Sequence, residues 1–132
     1  MTAAAVREAP VSAVPLVFAA SAPGQEMTVK ETVEEYFSDI PILVSVARCE
    51  SRFRQFNQDG SIHRGEVNEF DVGVMQVNEL YHLETAKKLK IDLHTLEGNL
   101  TYARYLYERE GTVPWSSSKK CWKSDAEKLA QN

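Results

Sequence analysis

Glu50 is the residue with the clearest capacity for chemistry. It closes the run Ile40-Pro41-Ile42-Leu43-Val44-Ser45-Val46-Ala47-Arg48-Cys49-Glu50, the most apolar helical stretch of the chain. Two effects raise the proton affinity of a carboxyl at the C-terminal end of such a helix. Burial disfavours the carboxylate, and the negative end of the helix dipole repels it. A carboxyl that keeps its proton near neutral pH can serve as a general acid, for instance toward the leaving oxygen of a glycosidic bond. The competing reading pairs Glu50 with Arg48, Arg52 or Arg54 and leaves it an ordinary surface ion. Four further carboxyls, Asp59, Glu66, Glu69 and Asp71, follow in a segment able to face Glu50, and Asp71, just before Gly73, is the best placed as a partner.

The elements that must position these groups are mostly helical. Residues 1–27 are rich in Ala, Pro, Ser and Val without a sustained period and read as a disordered tail or linker. Within them, 13–22 (AVPLVFAASA) resemble a weak export signal interrupted by Pro15. A single domain is expected over 28–132. Thr28 and Glu31 form a capping box, and Val29, Val33, Tyr36 and Phe37 share one stripe of the helix that follows. Asp39 is the expected cap of the second helix, with Pro41 in its first turn. That helix is apolar almost all the way round, so it must lie at the centre.

Between residues 54 and 78, Asp59-Gly60 and Arg64-Gly65 are turn signals among β-leaning Ile62, Val67, Val72, Val74 and Val77, which predicts a small irregular hairpin or structured loop. Asn78 caps a third helix at about 79–89, with Leu80, Leu83, Ala86 and Leu89 as its buried stripe. Thr95 and Gly111 bound a fourth, whose stripe is Leu96, Leu100, Ala103, Leu106 and Tyr107. Residues 114–122, PWSSSKKCW, read as a loop, and SDAEKLA as a short closing helix. The fold class is mainly α with a small β excursion.

Bulk properties narrow the function. The 132 residues carry a net charge of −4, which disfavours a nucleic-acid partner held through phosphates. The charges of residues 51–132 cancel, so the acidity is local to residues 31–50. No run approaches the ~20 apolar residues of a membrane helix. Cys49 and Cys121, without a CxxC pair, are either one disulfide or two reduced thiols. With His63, His82 and His94 they match no metal-ligand spacing, so neither metal nor cofactor is expected.

Three ordered blocks give a more specific reading. Glu50-Ser51-x-Phe53, then Gly73-x-Met75-Gln76-Val77-Asn78, then Asn99 in a helix bearing Tyr102 and Leu106, resemble the catalytic domain of the soluble lytic transglycosylase and goose-type lysozyme superfamily. The resemblance spans about residues 40–122. It implies a lysozyme-like fold and cleavage of the MurNAc–GlcNAc β-1,4 bond of peptidoglycan, with Glu50 as the acid/base. Gln76 would line the sugar groove. Ser51 would serve either the groove or its own helix end, and Asn78 either sugar or a helix cap. Tyr102 would face the cleft or fill the core, and Met75 would lie beneath the groove.

The chain also departs from the family, which often carries an A-Y-N motif whose tyrosine supports the glutamate. Here Pro114-Trp115-Ser116-Ser117-Ser118 and Cys121-Trp122 stand instead, resembling the W-x-x-S-x-x-C-W ending of a compact lysozyme-like subgroup. In that reading Trp115 offers its face to a pyranose ring and Trp122 packs in the core. The resemblance further implies a monomer acting on glycan strands outside the cytoplasm. It favours a lytic transglycosylase over a hydrolytic lysozyme, which needs a second carboxylate such as Asp71. A peptidoglycan-binding module without activity is the rival from another class.

Overall fold

The computed structural model describes residues 26–130, so both readings of 13–22 lie outside the described residues. The first helix begins where the capping box predicts. Thr28 Oγ1 accepts from the Glu31 amide at 3.0 Å, and Glu31 Oε1 accepts from the Thr28 amide at 2.9 Å. Helix α1 (Val29–Tyr36) follows, and Val33, Tyr36 and Phe37 are buried from its stripe. Helix α2 (Pro41–Ser51) runs under it, with Leu43, Val46 and Ala47 in the core.

Asp39 does not cap α2. The N-cap is Ile40, which makes no side-chain cap bond. Asp39 instead accepts a forked pair of hydrogen bonds from Arg104, at 2.8 and 2.9 Å. The bidentate geometry outcompetes a single amide, and Pro41 has already removed one amide donor from the first turn. Arg104 also donates to the Tyr36 carbonyl at 2.7 Å, so one buried guanidinium links α1, the α1–α2 turn and α4 (Leu96–Glu110).

The β excursion is smaller than its sequence suggests. Strands β1 (Asp71–Val72) and β2 (Val77–Asn78) pair antiparallel, with Asp71 opposite Asn78 and Val72 opposite Val77. Isolated bridges join Phe56 to Ile62 and Arg64 to Val72. Helix α3 (Glu79–Lys88) starts at the expected Asn78 cap, whose Oδ1 accepts from the Tyr81 amide at 2.9 Å. Its expected stripe is only partly inside. Ala86 is buried, but Leu80 and Leu83 are 69% and 44% exposed. Glu79 explains the phase: it accepts from both Arg64 and His94 at 2.6 Å, pinning the first turn so that those leucines project outward.

Helix α4 has the predicted bounds. Thr95 accepts from the Gly98 amide, and Gly111, at φ +64°, closes the helix on the Tyr107 carbonyl. The predicted 114–122 loop is helical instead: a 3-10 segment, Val113–Ser118, runs into α5 (Lys119–Ala130). Two indoles hold it. Trp115 Nε1 donates to the Met75 carbonyl at 2.8 Å, and Trp122 Nε1 to the Trp115 carbonyl at 2.9 Å. Five α-helices and one two-stranded sheet thus make up the described residues, a mainly helical fold. No helix among them is long and apolar enough to cross a membrane.

Candidate functional site

The segment after α2 shows how the chain delivers a carboxyl to a cavity. Glu50 occupies the last turn of α2. Arg52 and Phe53 then adopt φ of +56° and +62°, a left-handed pair that bends the chain sharply away. Such a conformation disfavours residues with a Cβ and needs support from its surroundings. Ser51 supplies it: its buried hydroxyl lies 2.7 Å from the Val74 carbonyl and 3.1 Å from that of Ala47. Ser51 is therefore 1% exposed and fastens α2 to the 72–76 segment; it is not on a groove wall.

The 72–76 segment is itself held by two buried amides. Gln55 accepts from the Val74 amide at 2.8 Å, and Asn99 accepts from the Met75 amide at 2.8 Å. Asn99 also donates to the carbonyls of Val72 and Leu93 at 3.0 and 2.9 Å. Gly73 is required here, because its φ is +76° and a Cβ would collide with the Asn99 amide. Val72, Val74 and Met75 are fully buried, so Met75 lies in the core. Gln76 takes φ +52° and folds its side-chain amide back onto the Gly73 carbonyl at 3.0 Å.

A cavity of about 240 Å³ opens where these parts meet. Glu50, Asp71, Gln76, Val77 and Asn78 line it, and Tyr81 and His82 from α3 and Leu106 and Glu110 from α4 form further wall. Pro114, Trp115 and Ser117 complete it. Burial pushes Glu50 above the ordinary carboxyl range; Ser118, which donates to Glu50 Oε2 at 2.6 Å, opposes this, and the negative charge of Asp71 adds to it. Burial likewise raises Asp71, against a hydrogen bond from Asn78 Nδ2 at 3.2 Å.

Three carboxyls elsewhere move in the opposite direction. Hydrogen bonds hold Asp39 and Asp59 below their ordinary value, through Arg104 and Ser61 respectively. Burial pushes Glu79 up, but His94 and Arg64 outweigh it and hold it down. That contrast separates two depressions formed by the described residues. The larger, of about 560 Å³ beside α3, has Glu79 and His94 already spent on each other. The smaller holds two carboxyls whose proton affinity burial raises.

Of the residues singled out in the sequence, Glu50, Asp71, Gln76, Asn78 and Trp115 converge on this cavity. Trp115 is only 2% exposed, so its ring face is not open to a pyranose. Tyr102 is 1% exposed and lies behind the wall. Burial pushes its phenol up to about 12, and its hydroxyl lies 3.0 Å from Nδ1 of His82, whose pKa burial lowers. Cys49 and Cys121 are disulfide-bonded, which settles the open alternative and removes both as thiolate ligands.

Sequence reasoning weighed His82 only as a metal ligand, and overlooked Glu110 and the role of Ser118. For Ser118 a signal existed: it stands one helical turn before Cys121, whose partner Cys49 adjoins Glu50. No family model, curated protein or solved structure matches the chain. The likeness to lysozyme-type enzymes therefore rests on the three sequence blocks.

Proposed function

We propose that the chain is a lysozyme-like, peptidoglycan-cleaving muramidase, in its leading form a lytic transglycosylase, with Glu50 as the acid/base. One observation carries this reading: a carboxyl of raised proton affinity lines a polar cavity together with a second carboxyl. A protonated Glu50 would give its proton to the oxygen leaving the MurNAc C1 carbon. The resulting carboxylate would then take the proton of the MurNAc C6 hydroxyl as that oxygen bonds to C1, leaving a 1,6-anhydro end. The negative charge of Asp71 would favour the positively charged transition state between the two steps. Gln76 and Asn78 on the same wall bring amides suited to hydroxyl and N-acetyl groups. A disulfide suits an oxidising, extracytoplasmic compartment, where glycan strands are found.

Asp71 also favours a second reading. An ionised carboxylate across the cavity is what a hydrolytic lysozyme uses to activate water or to trap the sugar. Purified sacculi distinguish these outcomes. The chain should release soluble muropeptides, and Glu50→Gln should release none while keeping its circular dichroism. Products short by one water name the transglycosylase, and intact reducing ends name the hydrolase. Sacculi that bind the chain but are never cut would replace the enzyme reading with a binding module.

A further inference from the structure

Ser118 Oγ sits between two acceptors: Glu50 Oε2 at 2.6 Å and the Trp115 carbonyl at 3.2 Å. A serine hydroxyl has one proton to donate, so it cannot fully satisfy both. The carbonyl is immobile, because the Trp122 indole already donates to it at 2.9 Å and Trp115 is anchored to Met75. The backbone that carries the carboxyl is tethered as well. Cys49, beside Glu50, is bonded to Cys121, one turn beyond Ser118. The hydroxyl is thus placed between two acceptors carried by tethered backbone.

We propose that Ser118 is a positioning residue whose proton changes partner with the charge of Glu50. When Glu50 is a carboxylate, Ser118 donates to Oε2. When Glu50 carries its proton on the other oxygen, Oε1, the neutral Oε2 is a weaker acceptor, and the hydroxyl rotates to give its proton to the Trp115 carbonyl. No proton leaves serine in either state. Each arrangement gives the hydroxyl proton an acceptor, and the stronger bond to the carboxylate makes the exchange favour the charged form of Glu50. An arginine or lysine in the same place would hold Glu50 permanently ionised. The other titratable groups facing the cavity are Asp71 on β1, Tyr81 and His82 on α3, and Glu110 on α4. On the helix of Glu50 itself, Arg48 is engaged by Asp125 of α5 at 3.1 Å. Ser118 is therefore the group that hydrogen-bonds the Glu50 carboxyl directly.

The idea deepens the acid/base reading of Glu50, but its test does not depend on glycan cleavage. Carbon-13 NMR of labelled glutamate carboxyls reports the Glu50 titration directly, with Glu50→Gln supplying the assignment. Ser118→Ala should shift the Glu50 midpoint to higher pH by at least half a unit, because the shorter-range donor to the carboxylate is gone. Ser118→Thr, which keeps a hydroxyl, should return it to within a few tenths of the parent. An unchanged midpoint in Ser118→Ala, or a threonine variant that behaves like alanine while folded, overturns the proposal. If the parent never cuts sacculi, the enzyme reading fails while the titration still decides the role of Ser118. If it does cut them, the alkaline limb of its pH–rate profile should move with the titration.

Discussion

Replacing Asn99 with alanine probes the scaffold that positions the cavity wall. The side chain is completely buried and makes three hydrogen bonds to backbone groups: the Met75 amide and the Val72 and Leu93 carbonyls. Alanine removes all three partners at a site shielded from solvent. A buried polar group that loses its partner costs about 1–3 kcal/mol, and the vacated volume adds to that. Partial relaxation of the 72–76 segment recovers some of the loss, so we expect about 3–5 kcal/mol. That is a large fraction of the roughly 5–15 kcal/mol that holds a domain together. Urea unfolding followed by far-ultraviolet circular dichroism should show the midpoint falling by at least about 1 M. Hydrogen exchange adds a site-specific check, since the Met75 amide should lose protection ahead of the amides within α4. A loss below about 1 kcal/mol, with Met75 still protected, would refute the view that Asn99 anchors this wall.

Two further outcomes follow from the site and its tether. Because the folded state raises the proton affinity of Glu50, it binds more protons than the unfolded chain above the ordinary glutamate value of 4.5, and stability falls as pH rises through that window. Glu50→Gln should therefore melt above the parent at pH 7, with the gap closing below pH ~4; a variant less stable than the parent at pH 7 would contradict the burial of that carboxyl. The Cys49–Cys121 bridge closes a loop with a sequence separation of 72. In the chain-entropy account such a loop contributes about 4 kcal/mol. Converting both cysteines to alanine should lower Tm by roughly 15–30 °C in calorimetry, and a drop under ~5 °C would show that packing alone holds α5 on α2.

Local signals in the chain determined more of this protein than its length suggests. Caps write themselves in nearest-neighbour chemistry, so Thr28, Asn78 and Thr95 marked their helices correctly. The apolar run that ends at Glu50 announced both a buried helix and a carboxyl at its end. Where competition between distant groups decides, the sequence was silent. Asp39 looked like a cap because nothing nearby reveals Arg104, which lies 65 residues on and offers a better partner. Leu80 and Leu83 looked internal because their spacing is helical, but the phase of α3 is set by Arg64 and His94 gripping Glu79. The 114–122 stretch looked like a loop because its helix is held by two indoles aimed at backbone carbonyls, which no apolar period records. The convergence of Glu50, Asp71 and Ser118 is likewise tertiary. Their chemistry depends on burial, shared charge and a hydroxyl brought across by a disulfide, and those exist only once the chain has closed on itself.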